Sequence, residues 1–182
     1  MLHVLDVAMN AVTAGARTIK ISVNEQISED RLSLLVADNG PGMSPDLVHD
    51  VLEHFATTKT KQKGWVGFGL ALLRGTVETC EGEFALQSRP GLGTLVLATM
   101  PHAHPDRPPL GEVAESLQSL LVGVRGVDFV VTHRRGDQSY RLDTRGVRRL
   151  LGDEYETQAV RAWLVEQLRE GESALAAGRE NS

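Results

Sequence analysis

VADNGPGM, residues 36–43, is the stretch on which the fold turns. An apolar run from Leu32 to Ala37 ends at a carboxylate, Asp38, and Gly40, Pro41 and Gly42 then stop any regular element from continuing. Taken alone, Asp-Asn-Gly and Pro-Gly are ordinary turn formers. A carboxylate that closes a buried-looking strand also needs a donor partner. An exocyclic amine, as on adenine, is one candidate. Gly40 and Gly42 remove side chains, so that a flat ring can lie against the backbone, and Met43 offers an adaptable apolar wall.

Working outward, Leu2, Leu5, Met9, Val12 and Ala16 recur at threes and fours and predict a helix over 2–15, closed by Gly15. Ile19, Ile21 and Val23 alternate as in a half-buried strand, and Leu32 to Ala37 is a second one. Ser44-Pro45 opens a helix to about His54, and a further helix ends near Glu81. Glu83 to Ser88 and Thr94 to Met100 read as strands joined by the turn RPGLG. The order helix, strand, strand, helix, loop, helix, strand, strand predicts an α+β fold. It is a two-layer α/β sandwich with an antiparallel or mixed sheet and helices on one face. The proline-rich HAHPDRPP, residues 102–109, sets 1–104 apart from a small C-terminal α/β extension, 105–182. The extension reads as a helix over about 110–122, a hairpin over 127–143, helices starting near Thr144 and Glu156, and a frayed last ten residues. It is either a partner or dimer surface or a packing extension of the main core.

The 182 residues suffice for one domain of ordinary size, or one with an appendage. A hydrophobic fraction of 41% with 24% charged residues belongs to a globular chain rather than a disordered one. The net charge of −5 argues against general nucleic-acid binding. It is spread evenly, with 11 acids against 8 Lys and Arg in residues 1–104 and 13 against 11 beyond, so neither part is an electrostatic arm. Cys80 is alone, which excludes an internal disulfide and makes a reducing cytoplasm the expected location. No apolar run reaches membrane-spanning length. The opening MLHVLDVAMNAVTAGA contains Ala14-Gly15-Ala16, like a leader cleavage site. It has no basic start, however, and Asp6 and Asn10 interrupt it, so it reads as a folded helix.

Asp6 and Asn10 stand four residues apart, on one helix face. A solvated stripe would account for them. Chemistry would too: an amide oxygen suits Mg²⁺, and a carboxylate one turn earlier can orient or deprotonate a water in line with a phosphoryl group. Residues 54–73, HFATTKTKQKGWVGFGLALL, set Thr57, Thr58 and Thr60 among Lys59, Lys61 and Lys63, then supply Gly64, Gly67 and Gly69 before an apolar helical run. Lysines and threonine hydroxyls are phosphate partners, and bare backbone at a helix N-terminus donates to anions. A solvated surface loop would have the same composition. The stretch is neither a Walker A loop nor a dinucleotide fingerprint. Gly91-Leu92-Gly93-Thr94 on its own is a hairpin turn.

In this order and spacing the four stretches resemble the ATP-binding domain of the GHKL superfamily, the group of DNA gyrase, heat-shock chaperone ATPases, sensor histidine kinases and the mismatch-repair protein MutL. LDVAMNAVTAGA is similar to the N box of that group, with Asn10 at the Mg²⁺-ligating asparagine. DNGPGM matches the first glycine box, placing Asp38 at the adenine-binding aspartate with Gly40, Gly42 and Met43 beside it. FATTKT is similar to the phosphate-side lid motif, with Thr57, Thr58 and Lys59, and GFGLALL to the second glycine box, with Gly67, Phe68, Gly69 and Leu70. GLGT, ending at Thr94, matches the box that closes the sheet. The resemblance covers about residues 2–101. It implies the Bergerat α/β sandwich with ATP and Mg²⁺ as cofactors.

Two departures stand out. ATP-hydrolysing members usually place Glu where Asp6 stands as general base, and Asp is one methylene shorter. Sensor histidine kinases carry an upstream dimerisation domain with a phosphoacceptor histidine; this chain starts at the N box, and none of its six histidines stands in such a context. The whole chain, with PHAHPDRPPLG and RLDT, also resembles a small stand-alone group of such ATPases in anaerobic bacteria, often encoded near iron-only hydrogenase subunits.

The resemblance implies Mg-dependent ATP binding with hydrolysis or phosphoryl transfer to a partner protein. Asp6 would be the base, Asn10 the metal ligand, and Lys59 with the neighbouring threonines the charge stabilisers. The alternative is an ATP-controlled interaction switch, in which nucleotide orders the lid at 55–67 and changes the surface a partner meets, with little turnover. A degenerate domain without nucleotide binding is a third reading, against which the intact Asp38, Asn10 and glycines speak. The expected partners are ATP and a protein, with no nucleic acid and no membrane, and a homodimer through residues 110–170 is left open.

Overall fold

Period-two alternation gives this chain a sheet with one dry face. In the computed structural model, which describes residues 1–54 and 68–177, helix α1 (Leu2–Thr13) precedes strands β1 (Thr18–Gln26) and β2 (Arg31–Asp38). Helices α2 (Pro45–His54) and α3 (Phe68–Thr79) lead to β3 (Glu83–Arg89) and β4 (Gly93–Pro101). Helix α4 (Val113–Gly123), strands β5 (Asp128–Arg135) and β6 (Gln138–Asp143), and helices α5 (Thr144–Leu151) and α6 (Gln158–Ala177) complete the chain. The strands form one sheet in the order β3-β4-β2-β1-β5-β6, antiparallel throughout except for the parallel β1–β5 pair. This is the α+β sandwich with a mixed sheet that the sequence predicts.

Pairing across the six strands sorts the inner face into rows. Leu86, Val96, Val36, Ile21, Val131 and Leu142 align as one apolar row through the middle. Helices α1, α3, α4 and α6 cover it with Val4, Ala8, Leu73, Val77, Leu117, Leu164 and Leu168. Each Val or Leu among these, fully buried, contributes roughly 1.5–3 kcal/mol. The rows towards the two ends of this face mix polar with apolar residues. At one end Asp38 pairs with Ile19 and Ser88 with Thr94. At the other, His133 pairs with Tyr140, and Glu25 with Arg135.

The sheet runs without a break from residues 1–104 into 105–182, because β5 lies beside β1. Within residues 105–182, buried Arg161 ties α6 to α4. Its guanidinium donates to the carbonyls of Leu121, Val122 and Val124 at 2.6, 3.1 and 3.0 Å, which satisfies the open C-terminal end of α4, and it pairs with Glu156. The chain end departs from expectation: α6 continues as helix to Ala177, where fraying was expected from about residue 173. Among the described residues no helix is long and apolar enough to cross a membrane.

Candidate functional site

Asp38 is the last residue of β2 and projects from the inner face at the polar end of the sheet. Its side chain is held rather than free. The Gly40 amide donates to Oδ1 at 2.7 Å, and the Thr94 amide also donates to the carboxylate. Burial pushes the carboxyl above the usual range, against the pull of those two donors. The next residue, Asn39, turns the other way: its Oδ1 accepts from the amides of Arg17 and Thr18 at 2.9 and 2.7 Å, pinning the loop to the start of β1.

The DNGPGM loop then folds over the β3–β4 turn. Gly42 has φ +68°, and a Cβ there would lie 1.9 Å from the Arg89 carbonyl oxygen, so only glycine permits this approach. The Gly91 amide donates to the Pro41 carbonyl at 2.7 Å. Ser88 accepts from the Met43 amide at 2.8 Å, donates to the Gly93 carbonyl at 2.9 Å and lies 2.9 Å from the Thr94 hydroxyl. One hydroxyl thus joins the loop, the turn and the residue that binds Asp38.

Around α1, Asp6 and Asn10 share a face, and Asp6 lies directly over the first turn of α3. A Cβ at Gly69 would sit 2.0 Å from that of Asp6, so the close packing of the two helices here depends on a bare backbone. The Asp6 carboxylate is 46% exposed, with His3 Nδ1 at 4.0 Å. Half-buried Asn10 makes no side-chain hydrogen bond among the described residues, which leaves its amide oxygen available to a cation. Its oxygen chemistry fits Mg²⁺.

The structure therefore brings Asp38, Gly40, Gly42, Met43 and Thr94 into one cluster and sets Asp6 on Gly69 in another. The connection from α1 to β1 reaches the first cluster, since Ala16 Cβ lies 3.5 Å from where a Gly40 Cβ would be. Phe68, Gly69 and Leu70 open α3, with Leu70 buried. Thr57, Thr58, Lys59 and Gly67 lie outside the described residues. Sequence reasoning passed over Ser88 and Asn39. Ser88 left a signal: it is the polar third member of the inward stripe Phe84, Leu86, Ser88. Ser88→Ala is expected to cost about 1–3 kcal/mol, because the Met43 amide loses its acceptor. Chemical denaturation and ATP titration of the variant would both show the loss; wild-type values in both would remove Ser88 from the site.

A model of the family described as histidine kinase-, DNA gyrase B-, and HSP90-like ATPase matches residues 1–104. Among curated relatives, sensor protein kinase FleS of Pseudomonas aeruginosa is 36% identical over 98 residues, 54% of this chain and 24% of that protein. Sensor histidine kinase DcuS of Escherichia coli is 33% identical over 82 residues, 45% of this chain and 14% of that protein. The chain thus spans a quarter or less of the length of these two relatives. The solved ATPase domain of MutL from Aquifex aeolicus, complexed with ADP, superposes with a TM-score of 0.53 at 16% identity, over 89% of this chain and 66% of that one, a likeness of fold. With the family model spanning more than half its length, this chain belongs to the histidine kinase-, DNA gyrase B- and HSP90-like ATPases.

Proposed function

We propose that residues 1–104 bind Mg·ATP and that its γ-phosphate passes to water or to a partner protein. One observation carries the reading. Asp38 is a half-buried carboxylate at a sheet end, fixed by two backbone donors and with acceptor capacity left for an exocyclic amine. Met43 lines the same cluster, and Asn10 would hold the Mg²⁺, which supplies charge neutralisation on the phosphates. Asp6, resting on Gly69, would accept the proton of an attacking water or hydroxyl. Thr57, Thr58, Lys59 and Gly67 enter this proposal from the family resemblance alone.

The ATP-controlled switch remains the second reading, favoured by the short reach of Asp6 where related ATPases use Glu. Where a protein partner takes the phosphate or reads the switch, residues 105–182 would offer the surface for it. A cytoplasmic location belongs to the same proposal and draws on the lone buried Cys80.

Protein held in excess over γ-labelled ATP with Mg²⁺ separates the readings. Turnover should release label to phosphate or protein, and Asp6→Asn should slow it roughly 10²- to 10⁴-fold with little change in affinity. ATP kept intact for many minutes would decide for the switch.

A further inference from the structure

The polar end of the inner face remote from Asp38 holds a buried ionic cluster that the nucleotide reading does not use. His133, on β5, is 4% exposed. Its Nε2 lies 3.1 Å from Glu25 Oε1 on β1, and its Nδ1 lies 2.8 Å from Glu172 Oε1 on α6. Carboxylate oxygens only accept, so a ring flanked by two of them must donate from both nitrogens, and His133 is an imidazolium. The remaining members come from every element around it. His102, just after β4, reaches Glu25 Oε2 at 2.9 Å, and Arg135 of β5 reaches Glu25 Oε1 at 3.5 Å. Tyr140 of β6 donates to Glu172 Oε1 at 2.6 Å and meets the His133 ring edge-on at 6.2 Å between centroids. Imidazolium and guanidinium balance the two carboxylates, which is how a buried cluster of this kind avoids a net desolvated charge.

The helix that supplies Glu172 is shaped to dock here. A Cβ at Gly171 would lie 2.5 Å from Cγ of Tyr140, so the backbone of α6 rests directly on that ring. A mid-helix glycine costs about 1 kcal/mol against alanine in helix propensity, and here the close approach accounts for it. Arg161, Leu164 and Leu168 anchor the first half of α6; in the second half, Gly171, Glu172 and buried Leu175 make the contacts.

We infer that this cluster is a proton-held latch: the doubly protonated ring of His133 fastens the second half of α6 to the sheet, and its loss of a proton frees that half-helix while the Asp38 end stays closed. Burial by itself would lower the His133 pKa, yet bonds to Glu172 and Glu25 and their charges hold it up at about 9. Burial likewise pushes Glu25 up, and bonds from His133 and His102, with the charge of Arg135, outweigh it and hold the carboxyl down at about 2. The His133 contribution is complete below its ordinary 6.5 and is lost as pH rises through about 9. The Glu25 contribution is complete above 4.5 and is lost as pH falls through about 2. The latch is closed at neutral pH and opens on the alkaline side.

Hydrogen exchange on the full chain, corrected for intrinsic rates, tests this between pH 7 and 10. Protection of residues 169–177 should fall by on the order of a hundredfold, with α1 and α3 holding theirs. In His133→Gln and Glu172→Gln the same segment should already be open at pH 7, independent of pH. Nitrogen NMR of the wild-type ring, which needs no variant to fold, should show both nitrogens protonated at pH 7.5. A singly protonated ring there would overturn the latch, as would unchanged protection of 169–177 at pH 10. Loss of α1 and α3 protection together with α6 would overturn it too, by showing global unfolding instead of a local release.

Discussion

Asp38→Ala loses ATP: the expected result is a Kd weaker by at least about a hundredfold, with the fold retained. Two effects add. The substitution deletes the acceptor proposed for the adenine amine, and a site built to hydrogen-bond one group discriminates strongly when that bond goes unmade. It also releases the Gly40 and Thr94 amides, whose shared acceptor positions the loop against β4. Isothermal titration with ATP, beside a thermal melt, separates loss of site from loss of fold. A folded Asp38→Ala protein with wild-type affinity would sink the adenine assignment, and the Proposed function with it. Asp38→Asn should fall between, since its amide keeps an oxygen for one of the two backbone donors.

Gly93→Ala is the second large effect, and it acts on the same point from the other strand. Gly93 has φ +88°, and an added Cβ would stand 1.9 Å from the Asp38 carbonyl oxygen and 3.0 Å from Asn39 Cα. Neither atom belongs to a flexible side chain, so β4 must move away from β2 at the residue where Thr94 follows. Strain at positive φ and overpacking together cost about 2–5 kcal/mol. For a chain of this size that lowers Tm by roughly 5–15 °C. ATP affinity should fall as well, because the Thr94 amide is carried off its carboxylate. Gly91→Ala is the control: φ is also positive, at +75°, but nothing lies within 4 Å of the added Cβ, so only backbone strain remains. Equal melting points for the two variants would refute the overlap as the cause.

Much of this molecule was legible along the chain because its signals are local. Alternation at Ile19, Ile21 and Val23 and the DNGPGM break each depend on a few neighbouring residues. The Ser44-Pro45 opening is of the same kind: Ser44 Oγ accepts from the Leu47 amide at 3.2 Å, as an N-cap does. The order of the elements then left few ways to bury one face of the sheet.

Other features could not be read there. Ser88 is a plain strand serine until the register sets it beside Thr94 and the loop drops the Met43 amide onto it. Glu25 continues the inward stripe of Ile19, Ile21 and Val23, where a carboxylate makes no sense locally. Its burial becomes affordable only through His102, His133 and Arg135, residues 77 or more positions away in the chain.

By itself, then, the sequence determined which segments are strands and helices, which faces they bury, and which residue types could meet a nucleotide. Those follow from side-chain size, polarity and backbone freedom within a turn or two. Only the tertiary structure decided that β5 lies parallel to β1, which makes residues 105–182 continue the sheet, and that α6 stays helical to Ala177 on the Tyr140 ring. It alone decided the surroundings of the carboxylates at the two ends of the inner face, Asp38 held by the Gly40 and Thr94 amides at one and Glu25 joined through His133 to Glu172 of α6 at the other. The reason is the same in each case: the stabilising partner lies far along the chain, and local propensity has no term for it.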